Sequence, residues 1–182
     1  MRPALFLDRD GVINKDFGYV YKIEDIEFID SIFELVSFAK SNSYLVIIIT
    51  NQAGIARGMF TEEDFHILNS WICKQFEINN GKIDKTYYCP YHIEGVIKKY
   101  KKNSSDRKPA PGMIEKACLD FNIDKTNSIF VGDKESDITA GVLANIAKPI
   151  YFGKNKSKNA YRSVSNLLEI KKEIILNKTQ ML

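Results

Sequence analysis

The sequence predicts an α/β fold: a doubly wound parallel sheet. Short apolar runs rich in β-branched residues are typical of buried parallel strands, and they occur at residues 4–7, 44–50, 128–132 and 149–152. Segments with helical spacing follow these runs, at residues 31–41, 62–79, 112–121 and 136–145. We therefore expect strands and helices to alternate within one domain that spans residues 1–182.

Three segments depart from this alternation. Residues 13–29 are too many for a simple turn and predict a loop or small hairpin lying over the sheet. Residues 87–108, with Cys89, His92 and a cluster of four lysines at residues 98–102, have no clear periodicity and predict an exposed excursion. The stretch after residue 155 is polar and then weakly amphipathic, which predicts a surface helix that frays at its end. We expect the first two segments to be short insertions near the active site.

Composition limits the classes of function. The 182 residues are 45% hydrophobic and 27% charged, and no apolar run reaches the roughly 20 residues that cross a bilayer. The first residues have no signal-peptide pattern, and three widely spaced cysteines suit a reducing compartment, so we expect a cytoplasmic protein. A net charge of +3 is too small to indicate nucleic acid. We expect a monomer that acts on a small molecule, with no nucleic-acid or membrane partner.

Polar residues cluster where the predicted strands end. Ligands of such sheets bind in the crevice beyond the carboxyl ends of the strands. The residues at or just after strand ends are Asp8, Asp10, Thr50, Asn51, Gln52 and Asp133. Lys108 stands just before a predicted helix. We therefore expect these side chains to converge on one site.

These residue types match the needs of phosphoryl transfer. That reaction needs an in-line nucleophile and neutralisation of the phosphoryl charge. Asp8 can attack phosphorus, while Asp10 can protonate the leaving oxygen and later deprotonate water. Thr50 and the backbone amide of Asn51 can donate to phosphoryl oxygens, and Lys108 can supply positive charge.

Three carboxylates facing a dianion require a hard cation, and oxygen-only ligands indicate Mg²⁺. Asp8 and Asp133 are the expected direct ligands, with the backbone carbonyl of Asp10 as a third oxygen. Asp137, one helical turn beyond Asp133, would hold bound water or the metal site in place. The alternative for each motif alone is structural, since an Asp-x-Asp after a strand is usually a turn or a helix cap. Their joint order after successive strands favours catalysis.

Four segments resemble the haloacid dehalogenase-like phosphatases. They read Asp8-Arg9-Asp10-Gly11-Val12-Ile13-Asn14, Thr50 to Gly58, Arg107 to Met113 and Gly132 to Asp137. The resemblance runs from about residue 4 to residue 152, and it implies a Rossmann-like fold with no large cap domain. It implies removal of the 7-phosphate from a heptose 1,7-bisphosphate, in making the heptose precursor of lipopolysaccharide or a related glycan. It also implies that Asn51, Gln52, Arg57, Arg107 and Lys134 bind substrate.

The excursion departs from the family pattern. Relatives of this kind commonly hold a structural zinc with a Cys-x-His pair and a Cys-x-Cys pair just before Arg-Lys-Pro. Here Cys89 and His92 are spaced one residue wider, and Ser104, Ser105 and Asp106 occupy the later positions. Because a tetrahedral Zn²⁺ site needs four good ligands, we predict no structural zinc. The expected alternatives are a half-buried thiol at Cys89 and a surface imidazole at His92.

Three other functions stay open at this point. A histidinol-phosphate phosphatase shares these motifs. A polynucleotide 3′-phosphatase would need a basic, aromatic groove, for which the lysines at residues 98–102 are a thin basis. A non-catalytic phosphosugar-binding protein is the third alternative, although such proteins usually lose the nucleophile or the metal carboxylates that this chain retains.

Overall fold

A computed structural model describes residues 1–180. The strands are β1 (Ala4–Leu7), β2 (Leu45–Asn51), β3 (Lys85–Cys89), β4 (Ile129–Gly132), β5 (Lys148–Phe152) and β6 (Arg162–Val164). The α-helices are α1 (Ile32–Ser41), α2 (Ala53–Ala56), α3 (Glu62–Ile78), α4 (Gly112–Phe121), α5 (Glu135–Leu143) and α6 (Ile170–Gln180). All strands pair in parallel in the order β3-β2-β1-β4-β5-β6. The predicted doubly wound α/β sheet is confirmed, and the strand order reverses between β1 and β4.

Two apolar layers hold helices against the sheet. On one face, side chains of α1, α3 and α6 pack against alternate residues of β1 and β2, such as Leu5 and Val46. The intervening residues, such as Phe6 and Ile47, point to the other face and pack against α4 and α5. Burial on both faces explains why β1 and β2 read as continuous apolar runs.

The predicted central elements agree with the structure to within one or two residues at their ends. The N-terminus of α3 is set by a capping box, in which the Thr61 hydroxyl accepts from the Asp64 amide and the Asp64 carboxylate accepts from the Thr61 amide. Asp124 likewise accepts from the Thr126 amide in the short turn before β4. These side chains satisfy backbone groups that the helix ladder leaves free.

Two strands were not predicted. Residues 85–89 form the edge strand β3, so the first part of the predicted excursion is wrong: its register pairs Tyr87 with Ile49 and Cys89 with Asn51. The short strand β6 lies at the opposite edge. Edge strands are only half buried and carry polar residues, so they lack the continuous apolar run that marks a central strand.

The hairpin predicted over residues 13–29 is confirmed. Asn14 and Phe28 form an antiparallel bridge, and the Lys15 amide donates to the Glu27 carbonyl at 2.8 Å. The C-terminal helix differs from the predicted surface helix, because Ile170 and Ile174 are fully buried against α1. The predicted fraying concerns residues 181 and 182, which lie outside the described residues. Within residues 1–180, no helix has the length and apolar character needed to span a membrane.

Candidate active site

The floor of the site is a buried lysine between two carboxylates. Asp8 follows β1, Lys108 precedes α4 and Asp137 lies in the first turn of α5, and all three are at most 5% exposed. The Lys108 ammonium lies 2.8 Å from Asp8 Oδ1 and 2.7 Å from Asp137 Oδ1, and it donates to the Ile49 carbonyl at 2.8 Å. The Lys108 ammonium is therefore paired with two carboxylates and hydrogen-bonded to the main chain of the floor.

Burial and charge set the protonation of this floor. Burial raises the pKa of Asp8 to about 7; Lys108 opposes this shift, while Asp137 and Asp10 add to it. Burial lowers the pKa of Lys108, but the charges of Asp137 and Asp8 outweigh it and hold the pKa above its ordinary value. Lys108 is therefore a permanent cation, and any added positive charge would favour the ionised form of Asp8.

Asp10 is held by Arg9, a residue that the sequence did not single out. The Arg9 guanidinium donates to both Asp10 oxygens, with its Nη2 2.9 Å from Oδ2, and also donates to the Val20 carbonyl. Asn14 donates to Asp10 Oδ1 and Gln52 donates to Asp10 Oδ2. Arg9 is only 1% exposed, so its charge acts in a medium that screens it little. The Asp10 carboxylate is thus fixed from three directions.

The three residues at the end of β2 have different environments. The Thr50 side chain is fully buried beneath the cleft, where its oxygen accepts from the Gln52 amide at 2.8 Å. Asn51 clamps the backbone of Lys108: its Nδ2 donates to the Lys108 carbonyl, and its Oδ1 accepts from the Lys108 amide. The Asn51 side chain therefore positions Lys108, while Asn51 and Gln52 both line the cleft.

A set of carboxylates fits a metal ion. Oxygens of Asp8, Asp133 and Asp137 lie within 4.8 Å of one another. Asp133 Oδ1 is buried without a hydrogen-bond partner, and burial raises the pKa of Asp133 to about 6. An unpaired buried carboxylate oxygen is costly, and a cation would satisfy it. Gly11 is required here, since a Cβ on it would lie 2.2 Å from the Asp133 carboxylate.

The Asp10 side chain is not part of this carboxylate set, because its oxygens accept from Arg9, Asn14 and Gln52. Asp137 has two partners outside this set: its Oδ1 pairs with Lys108, and its Oδ2 accepts from the Lys134 amide at 3.0 Å. Of the predicted metal residues, the structure therefore brings three side chains together. The remaining one, Asp10, was predicted to contribute only its backbone carbonyl.

A cleft of about 390 Å³ lies above the floor, and its rim is cationic. The rim residues that the sequence predicted are Arg57, Arg107 and Lys134. The same cleft is lined by residues that the sequence reasoning missed: Asp16, Tyr19, Phe60 and Ser136. The only available signal for Asp16 and Tyr19 was their place in the hairpin predicted to lie over the sheet.

The rim cations lie on loops and have partial partners. Arg57 packs over the Tyr19 ring and donates to its hydroxyl. Lys134 pairs with Asp16 at 2.8 Å; burial lowers its pKa, but the bond to Asp16 more than compensates and raises it. Arg107 is half-buried, and its Nη1 donates to the Tyr91 carbonyl at 3.4 Å.

The excursion after β3 is attached by aromatic packing. Tyr87 and Tyr91 pack on the core that contains α4, and Tyr88 packs near Phe65. Cys89 is fully buried in that core, which corrects the half-buried thiol expected for it, because β3 places its side chain against the sheet. His92 is partly exposed, and its Nδ1 accepts from the Glu94 amide.

This combination defines a haloacid dehalogenase-like phosphatase: a strand-end aspartate pair, a buried lysine and an acidic cluster at the switch point of a parallel sheet. The family model described as polynucleotide kinase 3 phosphatase matches residues 7–161. A D-glycero-alpha-D-manno-heptose-1,7-bisphosphate 7-phosphatase of Burkholderia mallei is 45% identical over 94% of this chain and 91% of its own. The enzyme of that name from Campylobacter jejuni is 48% identical over 92% of each chain. The chain belongs to the family of the D-glycero-manno-heptose-1,7-bisphosphate 7-phosphatases.

Solved structures agree with the fold. A HAD-like phosphatase of Mesorhizobium loti has a TM-score of 0.88 at 31% identity, covering 98% of this chain and 87% of that one. A D,D-heptose 1,7-bisphosphate phosphatase of B. bronchiseptica, complexed with magnesium and phosphate, has a TM-score of 0.82 at 21% identity over 97% and 99% of the two chains. The chain is a phosphatase with the fold of these enzymes.

Proposed function

We propose that this chain removes the 7-phosphate of D-glycero-D-manno-heptose 1,7-bisphosphate, a step in making a heptose precursor for lipopolysaccharide or a related surface glycan. The observation that carries the proposal is that charged groups lie at two levels of one cleft, its floor and its rim. Asp8 and Lys108 lie at its floor, and Arg57 and Arg107 lie at its rim. A substrate with two phosphates has a partner at each level.

The first step is attack by Asp8 on the 7-phosphate. Asp8 Oδ1 accepts from the Arg9 amide at 2.8 Å and pairs with Lys108, so Oδ2 is the oxygen that attacks. A bond forms between Oδ2 and phosphorus as the bond from phosphorus to the sugar oxygen breaks. Asp10 gives its proton to that oxygen, and heptose 1-phosphate leaves.

The second step returns the enzyme to its starting state. Asp10, now ionised, takes a proton from water, and the water oxygen attacks phosphorus. The bond between phosphorus and Asp8 breaks, and inorganic phosphate is released. The contacts from Arg9, Asn14 and Gln52 keep Asp10 within reach for both proton transfers. The buried Thr50 hydroxyl, the Asn51 backbone amide and the Lys108 ammonium are suited to stabilise the phosphoryl oxygens.

Mg²⁺ is the cofactor that we propose for the acidic cluster. Asp8 and Asp133 would hold it, together with the backbone carbonyl of Asp10, and Asp137 would fix the surroundings. The unpaired oxygen of Asp133 supports this assignment. When bound, Mg²⁺ offsets the repulsion between the carboxylates and the phosphate dianion.

We propose that Arg57, Arg107 and Lys134 bind the phosphate that is not cleaved and the adjacent sugar, with Gln52 lining the cleft beside them. Two of the excursion's lysines have local partners: Lys99 pairs with Glu62, and Lys102 lies over the Tyr91 ring. These contacts support a small-molecule substrate over nucleic acid. We further propose a cytoplasmic, monomeric, single-domain enzyme whose excursion holds no structural zinc.

The test is a phosphate-release screen with purified protein, with and without Mg²⁺. It compares the separated α and β anomers of heptose 1,7-bisphosphate with histidinol phosphate. Both anomers are included because relatives at 45% and 46% identity are named for the α and the β anomer, respectively. We expect the highest kcat/KM on a heptose bisphosphate and little turnover after magnesium removal. A clear preference for histidinol phosphate would overturn the proposed substrate. Lack of turnover on every phosphate ester would support a non-catalytic binding protein.

A further inference from the structure

A polar cluster outside the active site joins helix α3 to the excursion. Glu62, the first residue of α3, accepts from the Tyr88 hydroxyl at 2.9 Å through one carboxylate oxygen. Its other oxygen accepts from the Tyr100 hydroxyl and from Lys99 Nζ. Three donors thus converge on one carboxylate at a helix N-terminus, where negative charge is favoured. The mechanism does not use this cluster.

Tyr100 connects Glu62 to the rim cation Arg107. The Tyr100 carbonyl accepts from the His92 amide at 3.1 Å, and the rings of Tyr100 and Tyr91 lie 6.2 Å apart. The Tyr91 carbonyl in turn accepts from Arg107. Tyr100 therefore supports the segment whose Tyr91 carbonyl contacts this guanidinium.

The same loop supports the second rim cation. The amides of Val96 and Ile97 both donate to the Ala56 carbonyl, at 2.8 and 3.0 Å. Ala56 directly precedes Arg57. Any displacement of residues 96–100 would thus change the support of Arg57 as well as that of Arg107.

In this part of the loop, the main apolar contact is the Tyr100 ring, which packs against the cluster of Ile55, Phe60 and Phe65. Ile93 and Val96 are 62% and 73% exposed. Where few apolar contacts fix a segment, its order depends on its polar contacts. The Glu62 carboxylate receives two of these polar contacts, from Lys99 and Tyr100, and joins them to Tyr88 of β3.

We infer that Glu62 is a positioning residue for substrate binding: through Tyr100 it holds the excursion so that Arg107 and Arg57 face the phosphate that is not cleaved. This inference rests on the proposed function, since it assumes a bisphosphate. Glu62 does not line the cleft that holds Asp8 and Asp10. It acts on binding, and the chemistry at Asp8 is independent of it.

The test compares Glu62→Ala and Tyr100→Phe with the control Glu63→Ala, which changes an exposed glutamate on the same helical turn. Steady-state kinetics are measured on heptose 1,7-bisphosphate and on heptose 7-phosphate, which lacks the second phosphate. For Glu62→Ala we expect KM on the bisphosphate to rise about tenfold with kcat within about twofold, and less change on the monophosphate. Tyr100→Phe, which removes a single hydroxyl, should show a smaller rise. Glu63→Ala should behave as wild type.

Two further variants separate positioning from general damage. Glu62→Gln keeps one acceptor oxygen and should restore part of the lost affinity. In an Arg107→Ala background, Glu62→Ala should raise KM much less than it does alone, because the residues act through the same contact. Equal losses on both substrates, or additive losses in the double variant, would overturn the inference. Absence of wild-type turnover on the bisphosphate contradicts the proposed function itself, whereas normal turnover with an unchanged KM in Glu62→Ala contradicts only the positioning role.

Discussion

The floor and the rim of the cleft use charge in opposite ways. At the floor, Lys108 and Asp137 are almost fully buried and lie 2.7 Å apart. At the rim, Arg57 and Lys134 are 36% and 53% exposed, and the Arg57 to Glu94 pair is longer, at 3.5 Å. Coulomb interactions are strong where water is excluded and weak where it is present. The floor can therefore hold a reactive geometry, while the rim can exchange its protein partners for substrate.

The floor and the rim also differ in what fixes the position of their backbone. Asp8 and Asp133 follow central strands, whose position the whole sheet determines. Arg57 and Arg107 lie on loops, and the contacts of neighbouring side chains set their position. Substitutions at the floor should consequently change the chemical step and the stability, whereas substitutions at the rim should change KM.

The largest effect is expected for Asp8→Asn. The amide keeps the shape of the carboxylate but cannot attack phosphorus, so kcat should fall by about four orders of magnitude or more. The fold should be retained, as measured by circular dichroism. Asp30→Asn, at an exposed aspartate, is the matched control and should keep full activity. Substantial turnover by purified Asp8→Asn would exclude the covalent mechanism.

Asp10→Asn should have the next largest effect. In the proposed mechanism the same carboxyl serves as acid and as base, so its loss should slow both formation and hydrolysis of the phospho-enzyme, by about 10²- to 10⁴-fold in kcat. Rapid-quench measurement of the rates at which the phospho-enzyme forms and is hydrolysed tests this prediction. A variant that forms the intermediate at the normal rate would show that another group protonates the leaving oxygen.

The floor should also make metal-free stability depend on pH. Because burial raises the pKa of Asp8 from 3.8 to about 7, the folded state keeps a proton that the unfolded chain releases in this range. Stability without metal should therefore be greatest at low pH within that range and fall by a few kcal/mol as the pH rises towards 7. Urea unfolding in the presence of a chelator measures it. The decline should be smaller in Asp8→Asn, and equal declines in both proteins would contradict the assignment.

At the rim, Arg107→Ala should raise KM for the bisphosphate by about 10- to 100-fold and leave kcat nearly unchanged. Arg107→Lys should recover only part of the affinity, because an ammonium lacks the planar, two-pronged donor set of a guanidinium. Steady-state kinetics on both heptose phosphates provide the measurement. A fall in kcat of the same size on the monophosphate would place Arg107 in the chemistry of the floor.

The smallest effect is expected for removal of zinc from the growth medium. The excursion is held by its tyrosines and by the pair of Asp106 with Lys116, so we predict that it folds without structural zinc. Activity and melting temperature should then be independent of zinc. Elemental analysis of protein purified without chelators is the direct measurement. About one zinc per chain would show that the missing cysteines were misinterpreted.

Local patterns in the sequence determined the central architecture. The apolar runs of β1, β2, β4 and β5 and the helical spacing between them were sufficient to predict these elements. A strand or helix that buries one of its faces has apolar residues at the positions of that face, so its own sequence shows the pattern. The strand ends then placed Asp8, Asp10 and Asp133 at one edge of the sheet, since parallel strands share a direction. The order of the four motifs along the chain indicated phosphoryl transfer before any contact was known.

The tertiary structure decided what depends on distant partners. The place of Lys108 between Asp8 and Asp137 and the contacts of Glu62 join residues whose proximity no local pattern encodes. Arg9 and Asp10 are neighbours in sequence, but only the folded chain buries the Arg9 guanidinium of their ion pair. The edge strand β3 and the buried face of α6 were missed for the same reason, because their weak patterns become meaningful only beside β2 and α1. A sequence shows which side chains can do the chemistry, but burial and pairing set their charge, and both arise only when the chain is folded.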